Sequence, residues 1–358
     1  MLQIKKYPIK IRGECKFMKR TGLFFITLLM GLVLLVGCNQ ESSDSEVEAG
    51  GETLENVYLN LGATSQSSGL YAYMVAIANG VEEETDGKID MTVVETGASV
   101  DNLKRLQQES IDLGLGTESV NVAAMEGKGE WEEAPIPDVR NLFTFLPISQ
   151  PYTVTEESEV NSISDLDSKT FFPGFTGSAT EATTQEILDA LGVKPDYFLG
   201  GLEDGVNALK DRRAVGMVKT GLGVDPDPTV IEINATLPMK IIGFTEEEKD
   251  IIQSEVGLPF TTIPAGSYPN QEEDVETPVL VMDIFASTRM SEEVAYNIVK
   301  AAVETKEAQE NAYSGVKGID YIEATLEFAT TPLHVGAIKY FEEIGAEVPE
   351  HLIPPENK

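Results

Sequence analysis

Two segments of this 358-residue sequence set glycines and hydroxyls where an apolar run gives way to a helical pattern. They are Leu61-Gly-Ala-Thr-Ser-Gln-Ser-Ser-Gly69 and Phe172-Pro-Gly-Phe-Thr-Gly-Ser-Ala-Thr-Glu181. A strand-loop-helix junction of this kind turns unpaired backbone N–H groups and the positive end of a helix towards one spot, which suits a small anion or carboxylate. Two copies predict two lobes facing each other across a cleft, and a binding protein more than an enzyme. In the first copy Thr64, Ser65 and Ser68 supply hydroxyls that either cap the helix or reach a ligand. Tyr71, on the first helical turn, either walls the cleft or packs between the lobes. In the second copy Gly177 precedes a Ser178-x-x-Glu181 capping box. The amides of Ala179 and Thr180 are expected to point into the cleft, with Glu181 a candidate acceptor for a ligand amino group.

A fainter repeat relates Leu106–Thr117 to Leu209–Thr220, each a helix end, a charged turn, a strand and a polar loop. It sets Thr117 and Thr220 at the carboxyl ends of strands, where ligands bind in open α/β sheets. Lys219 stands where the first copy has Gly116, and a lone ammonium in a cleft without water pairs strongly with a ligand carboxylate. Asp225-Pro-Asp-Pro228 reads as a rigid surface turn, because two carboxylates without further oxygen ligands make a poor metal site. His334 and His351 are the only histidines, and neither has a cysteine or histidine at metal-binding spacing. His334 is expected to be packed or capping. Nucleophile elbows, phosphate loops and zinc spacings do not occur, so no catalytic residue, metal or cofactor is predicted. Trp131, in an acidic loop, is expected at the surface.

Apolar runs alternate with helical patterns along the chain, which predicts an α/β architecture. Strands are expected at Val57–Leu61, Ile89–Val94, Ile111–Leu115, Leu142–Leu146, Thr170–Phe172, Val215–Val218 and Val279–Phe285. Helices are expected at 69–84, 100–109, 118–126, 179–191, 203–211, 292–308 and 333–344. The extended segments Phe143–Thr155 and Pro264–Pro278 read as two hinge crossings. One lobe then comprises 57–150 plus 270–358 and the other 151–269, with hinge closure over a central cleft.

The stretch Met18–Cys38 has a basic start, an apolar core and small residues before Cys38, which is secretory signal architecture. The ending Leu35-Val36-Gly37-Cys38 resembles a bacterial lipoprotein signal. It predicts a lipid on Cys38 and residence on the outer face of the cell membrane; an uncleaved membrane anchor is the alternative. Residues 1–17 match nothing in such a signal, which makes Met18 a candidate start. Residues 39–56, rich in Ser, Glu, Gly and Asp, read as a flexible tether. A net charge of −34 makes nucleic acid a poor partner.

The segment Gly62–Tyr71 resembles the glycine-hydroxyl-tyrosine loop of the TAXI solute receptors, which serve one branch of the tripartite ATP-independent periplasmic (TRAP) transporters. Thr96–Leu103, Phe175–Glu181, Ile263–Tyr268 and Leu333–Gly345 resemble further motifs of that family in the same order. The resemblance spans about residues 57–349 and implies a two-lobed fold like that of type II periplasmic binding proteins. It also implies capture of a small carboxylate or amino acid, such as glutamate, glutamine or a dicarboxylate, for a sodium-coupled TRAP-type permease. Departures occur at Ala179, where a second glycine is usual, at Thr117-Glu118-Ser119, where a glutamine and an aspartate are expected, and at Val215, which replaces an acidic residue. The first two fall in loops expected to face the cleft, so ligand identity does not carry over; Thr117 and Glu118 remain candidates there. A receptor for an ATP-driven importer and a sensory lipoprotein remain open alternatives, and scarce His and Cys argue against a surface hydrolase.

Overall fold

The structure, a computed structural model, describes residues 55–357. The predicted signal segment, Cys38 and all but the last two residues of the predicted tether lie outside the described residues. Among the described residues no helix is long and apolar enough to cross a membrane.

Val57, Leu59 and Leu61 alternate with exposed Tyr58 and Asn60, which sets one face of β1 (Val57–Gly62) on the core. In α1 (Gly69–Glu84) a stripe of Tyr73, Met74, Ile77 and Val81 is buried. There follow β2 (Ile89–Val94), α2 (Ser99–Gln107), β3 (Leu113–Thr117), α3 (Glu118–Glu126) and β4 (Val139–Ser149). Gln150 and Pro151 lead into β5 (Tyr152–Thr155), β6 (Thr170–Phe172), α4 (Ala179–Ala190), β7 (Asp196–Tyr197), α5 (Leu202–Lys210), β8 (Gly216–Val218), α6 (Pro228–Asn234), β9 (Met239–Ile242) and α7 (Glu246–Ile251). The chain returns through β10 (Phe260–Ile263) and β11 (Val275–Ser287). It closes with α8 (Glu292–Glu304), α9 (Lys306–Ala312), α10 (Tyr321–Phe328) and α11 (Val335–Glu343).

One sheet has the order β2-β1-β3-β11-β4, with β10 paired to the start of β11. The other runs β7-β6-β8-β5-β9. Both follow one rule: second, first and third strands, then an antiparallel strand that has just crossed from the other half, then the fourth. This is a two-lobed, type II periplasmic-binding-protein-like fold. In each sheet the parallel strands end at the loops that carry the glycine and hydroxyl motifs, so sheet order alone brings those loops together. Phe143, Phe145 and Phe285 are fully buried beneath them, each contributing about 2 kcal/mol by area removed from water.

The two crossings lie side by side. Gln150 N–H donates to the Pro278 carbonyl at 2.8 Å, and the Thr277 hydroxyl donates to the Gln150 carbonyl at 2.6 Å. The Gln150 side-chain amide, also buried, reaches the hydroxyls of Thr183 and Thr184 at 2.9 and 3.0 Å. A satisfied buried network of this kind rigidifies its surroundings, and it ties the hinge to α4.

Three expectations change. The return crossing is not wholly extended: residues 264–274 form the turn of a hairpin whose strands β10 and β11 pair with Phe260 opposite Pro278 and Ile263 opposite Val275. The last helix starts at Val335, because His334 takes the N-cap and its ring Nδ1 accepts from Gly336 N–H at 3.2 Å. Trp131 is buried, not exposed, and the Lys104 ammonium lies 5.6 Å from its ring centroid, a cation–π contact.

Candidate functional site

A cavity of about 20 Å³ lies where the loops of both lobes meet. That is room for about one water molecule, so the lobes are closed upon it. From the first lobe it is lined by Thr64, Ser68 and Leu70 after β1, Ala98 and Ser99 after β2, Leu115 and Thr117 on β3, Ile148 on β4, and Leu280 and Met282 on β11. The second lobe contributes Phe175, Ser178, Ala179 and Thr180 after β6, and Lys219 and Thr220 after β8. The amino ends of α1, α2, α3 and α4 therefore all reach one small space.

Local geometry explains how each end is aimed. Asn102, fully buried on α2, shares its side-chain N–H groups among the carbonyls of Gly62, Ala63 and Leu115 at 3.2, 2.9 and 3.0 Å, which fixes the ends of β1 and β3. Ala98 adopts φ 70°, ψ −150°, a conformation that costs a residue with a Cβ about 1–3 kcal/mol. The turn is held by the Ala98 N–H, which donates to the Thr96 hydroxyl at 3.1 Å, and it directs the start of α2 at the cavity.

Ser68 occupies the N-cap of α1 without any side-chain capping bond, and Thr117 does the same for α3. The hydroxyls of Thr64 and Thr117 are buried without a hydrogen-bond partner, an arrangement that costs about 1–3 kcal/mol per group unless something else satisfies it. Ser178 differs, because its hydroxyl caps α4 by accepting from Glu181 N–H at 3.1 Å. The Glu181 carboxylate reaches back to Gly177 N–H at 2.8 Å, one residue short of the reciprocal bond expected. Burial pushes the Glu181 carboxyl up despite that bond.

Lys219 is 4% exposed and is not a free cation. Its Nζ lies 3.0 Å from Asp227 Oδ2. The Asp225–Pro228 segment is thus no surface turn at its second aspartate: Asp227 is buried and caps α6 by accepting from Thr229 N–H at 2.9 Å. Burial would push this carboxyl up, but the Lys219 ammonium and the Thr229 amide outweigh it and hold it below the usual range.

Of the thirteen candidates, Thr64, Ser68, Thr117, Ser178, Ala179, Thr180, Lys219 and Thr220 line the cavity. Ser65 is half-buried and bonds Ser67. Tyr71 packs beside β2, its hydroxyl 3.5 Å from the Val93 carbonyl. Gly177 and Glu181 form the rim. The Gly177 carbonyl accepts from Val100 and Asp101 N–H at 3.0 and 3.1 Å, a backbone latch between the lobes. Glu118 turns away from the cavity and braces the first lobe, accepting from the amides of Thr330 and Thr331 at 2.9 and 2.7 Å and from Asn141 Nδ2 at 2.5 Å. The sequence reading did not select the apolar liners or Ser99. Leu115, Ile148, Leu280 and Met282 look like ordinary strand residues, while Leu70, Ala98 and Phe175 sit in or beside the loops without a polar group to mark them.

Behind this wall Asp283, fully buried on β11, accepts from Asn121 Nδ2 at 2.5 Å. Burial, and then the charge of Glu118, push its carboxyl well above the usual range. A raised acid binds its proton more tightly in the folded chain, so stability falls as pH rises from the ordinary value near 4 towards the raised one. Asp283→Asn, which mimics the protonated acid, is expected to leave the melting temperature nearly unchanged at pH 4. At pH 8 it should raise it by roughly 2–4 °C. Calorimetry across that range checks this, and an equal shift at both pH values would contradict it.

A larger open groove of about 930 Å³ runs outside α3 and α4. The uncapped hydroxyls and Lys219 converge on the small cavity and not on that groove. Among the described residues no group of three or more His, Cys, Asp or Glu is placed to hold a metal ion.

The model of the NMT1-like family matches residues 61–345. No curated protein matches the sequence. Similar solved structures include the alkanesulfonate-binding protein from Xanthomonas axonopodis pv. citri bound to MOPS (14% identity, 85% of this chain and 98% of that one, TM-score 0.45). A putative L-cystine ABC transporter protein from Listeria monocytogenes shares 13% identity over 72% of this chain and 95% of its own, with TM-score 0.45. The GluR0 ligand-binding core from Nostoc punctiforme in complex with L-glutamate shares 13% identity over 72% and 96%, with TM-score 0.43.

Proposed function

This chain belongs to the NMT1-like family, and on that footing we propose that it is an extracytoplasmic solute-binding receptor. It is lipid-anchored through Cys38 and captures a small carboxylate or amino acid for a sodium-coupled permease of the TRAP type. The observation that carries the reading is the convergence of four helix amino ends, two partnerless buried hydroxyls and the Lys219 ammonium on one cavity between two hinged lobes. Backbone amides and helix ends of this kind hold carboxylates without any further cofactor. The ordered likeness to the TAXI receptors supports the finer assignment, because Gly62–Tyr71 and Phe175–Glu181 supply much of the cavity wall.

Isothermal titration against monocarboxylates, dicarboxylates and amino acids tests the receptor role. Binding of at least one with a Kd of about 10 μM or below, near −7 kcal/mol, is expected. Failure of every small solute to bind overturns it. Uptake of the bound solute into vesicles holding a TRAP-type permease from the same cell, with and without a sodium gradient, tests the partner. Uptake that follows ATP instead would move the chain to the other importer class.

A further inference from the structure

We infer that the solute carries a single carboxylate on an uncharged, largely apolar remainder, and that dicarboxylates are selected against. This rests on the receptor reading and narrows it. The argument is charge matching. Among the described residues Lys219 is the only charged side chain lining the cavity, and its charge is already matched by buried Asp227 at 3.0 Å. The helix ends are unequal as well. Asp101, Glu118 and Glu181 lie in the first turns of α2, α3 and α4, whereas the first turn of α1 holds no acid. An acid in the first turn offsets the positive end of its own helix. What remains unmatched is the amino end of α1, beside Thr64 and the uncapped Ser68, and that suits one carboxylate.

A second carboxylate would be buried without a cation, at the cost that governs any unpaired buried charge. The net charge of −34 adds long-range repulsion of a dianion. A ligand ammonium is also unmatched, since among the described residues no acidic side chain lines the cavity. The rest of the lining includes Leu70, Leu115, Ile148, Phe175, Leu280 and Met282, apolar surface that an aliphatic tail meets once the lobes part far enough to admit it.

Titration of the full chain with 4-methyl-2-oxopentanoate, leucine and 2-oxoglutarate compares three ends on one skeleton type, and a thermal-shift panel of further mono- and dicarboxylates widens it. The best monocarboxylate is expected to bind at least about 100-fold tighter than any dicarboxylate, or about 2.7 kcal/mol. Asp227→Asn keeps a capping residue on α6 but frees the Lys219 charge, and is expected to narrow that ratio at least tenfold. A dicarboxylate or a zwitterion that binds best overturns the inference and leaves the receptor reading standing, as does a ratio unmoved by Asp227→Asn. If no carboxylate of any kind binds, the receptor reading itself fails and this inference with it.

Discussion

Lys219→Met is expected to weaken carboxylate binding at least about tenfold, or 1.4 kcal/mol, and to destabilise the unliganded chain at the same time by about 3–5 kcal/mol. The two effects have separate causes. Binding weakens because the cavity loses the remaining N–H donors of the Lys219 ammonium, the one charged side chain that lines it among the described residues. Stability falls because Asp227, 3% exposed, keeps a buried carboxylate with no cation beside it, answered only by the amide and hydroxyl of Thr229. The double variant Lys219→Met/Asp227→Asn separates them, since it should recover most of the stability and none of the affinity. Urea unfolding and titration calorimetry on the three proteins read both. Recovery of affinity in the double variant would remove Lys219 from the site. The pair also has a pH signature. The Asp227 carboxyl is held below its usual range, so the stabilisation is complete above about pH 4 and is lost as pH falls through the lowered value.

Gly97→Val is expected to abolish tight binding, with affinity reduced at least about 100-fold, while the unliganded chain melts within about 2 °C of the original. A Cβ on Gly97 would lie 2.6 Å from the Thr176 carbonyl of the opposite lobe and 3.4 Å from Gly177 Cα. Backbone cannot yield as a flexible side chain can, so the lobes stop short of the Gly177 latch. The severe contact is the one between lobes; within its own lobe the new Cβ meets only the Asp101 Cβ, at 3.2 Å, which a shift of a few tenths of an ångström relieves. Small-angle scattering should find this variant equally open with and without solute. Closure on adding solute, or unimpaired affinity, would show that the latch is not needed.

Much of the frame was readable beforehand. The helices at 69–84 and 118–126 match the expected bounds, because each follows a strand and a hydroxyl-bearing residue and has no Pro inside it. The weakly patterned elements were missed. β7 is two residues long, and β9 and β10 are short and half-polar, so each exists only through its partner strand. The twin loops were legible because glycine and hydroxyl clusters at a strand-to-helix junction have few other uses. The Lys219–Asp227 pair was not, since it joins residues across a turn closed by the Leu222–Asp225 bridge. One signal was available. Asp followed by Pro is a helix-start pattern, and a capping aspartate turns back towards the chain instead of out to water. Glu118 was drawn to the cleft by its neighbour Thr117. Its side chain instead answers the amides of Thr330 and Thr331, 212 and 213 positions away, a relation that no local pattern announces.

The tightness of the cavity bears on timing. A solute held where the Gly177 carbonyl ties the second lobe to the amides of Val100 and Asp101 leaves at a rate linked to how often the halves part. Capture can be quick from the open form, while spontaneous loss is throttled by the same motion. On the proposed receptor role, unloading is then the slow step, and the acceptor must prise the halves apart before it can take the solute.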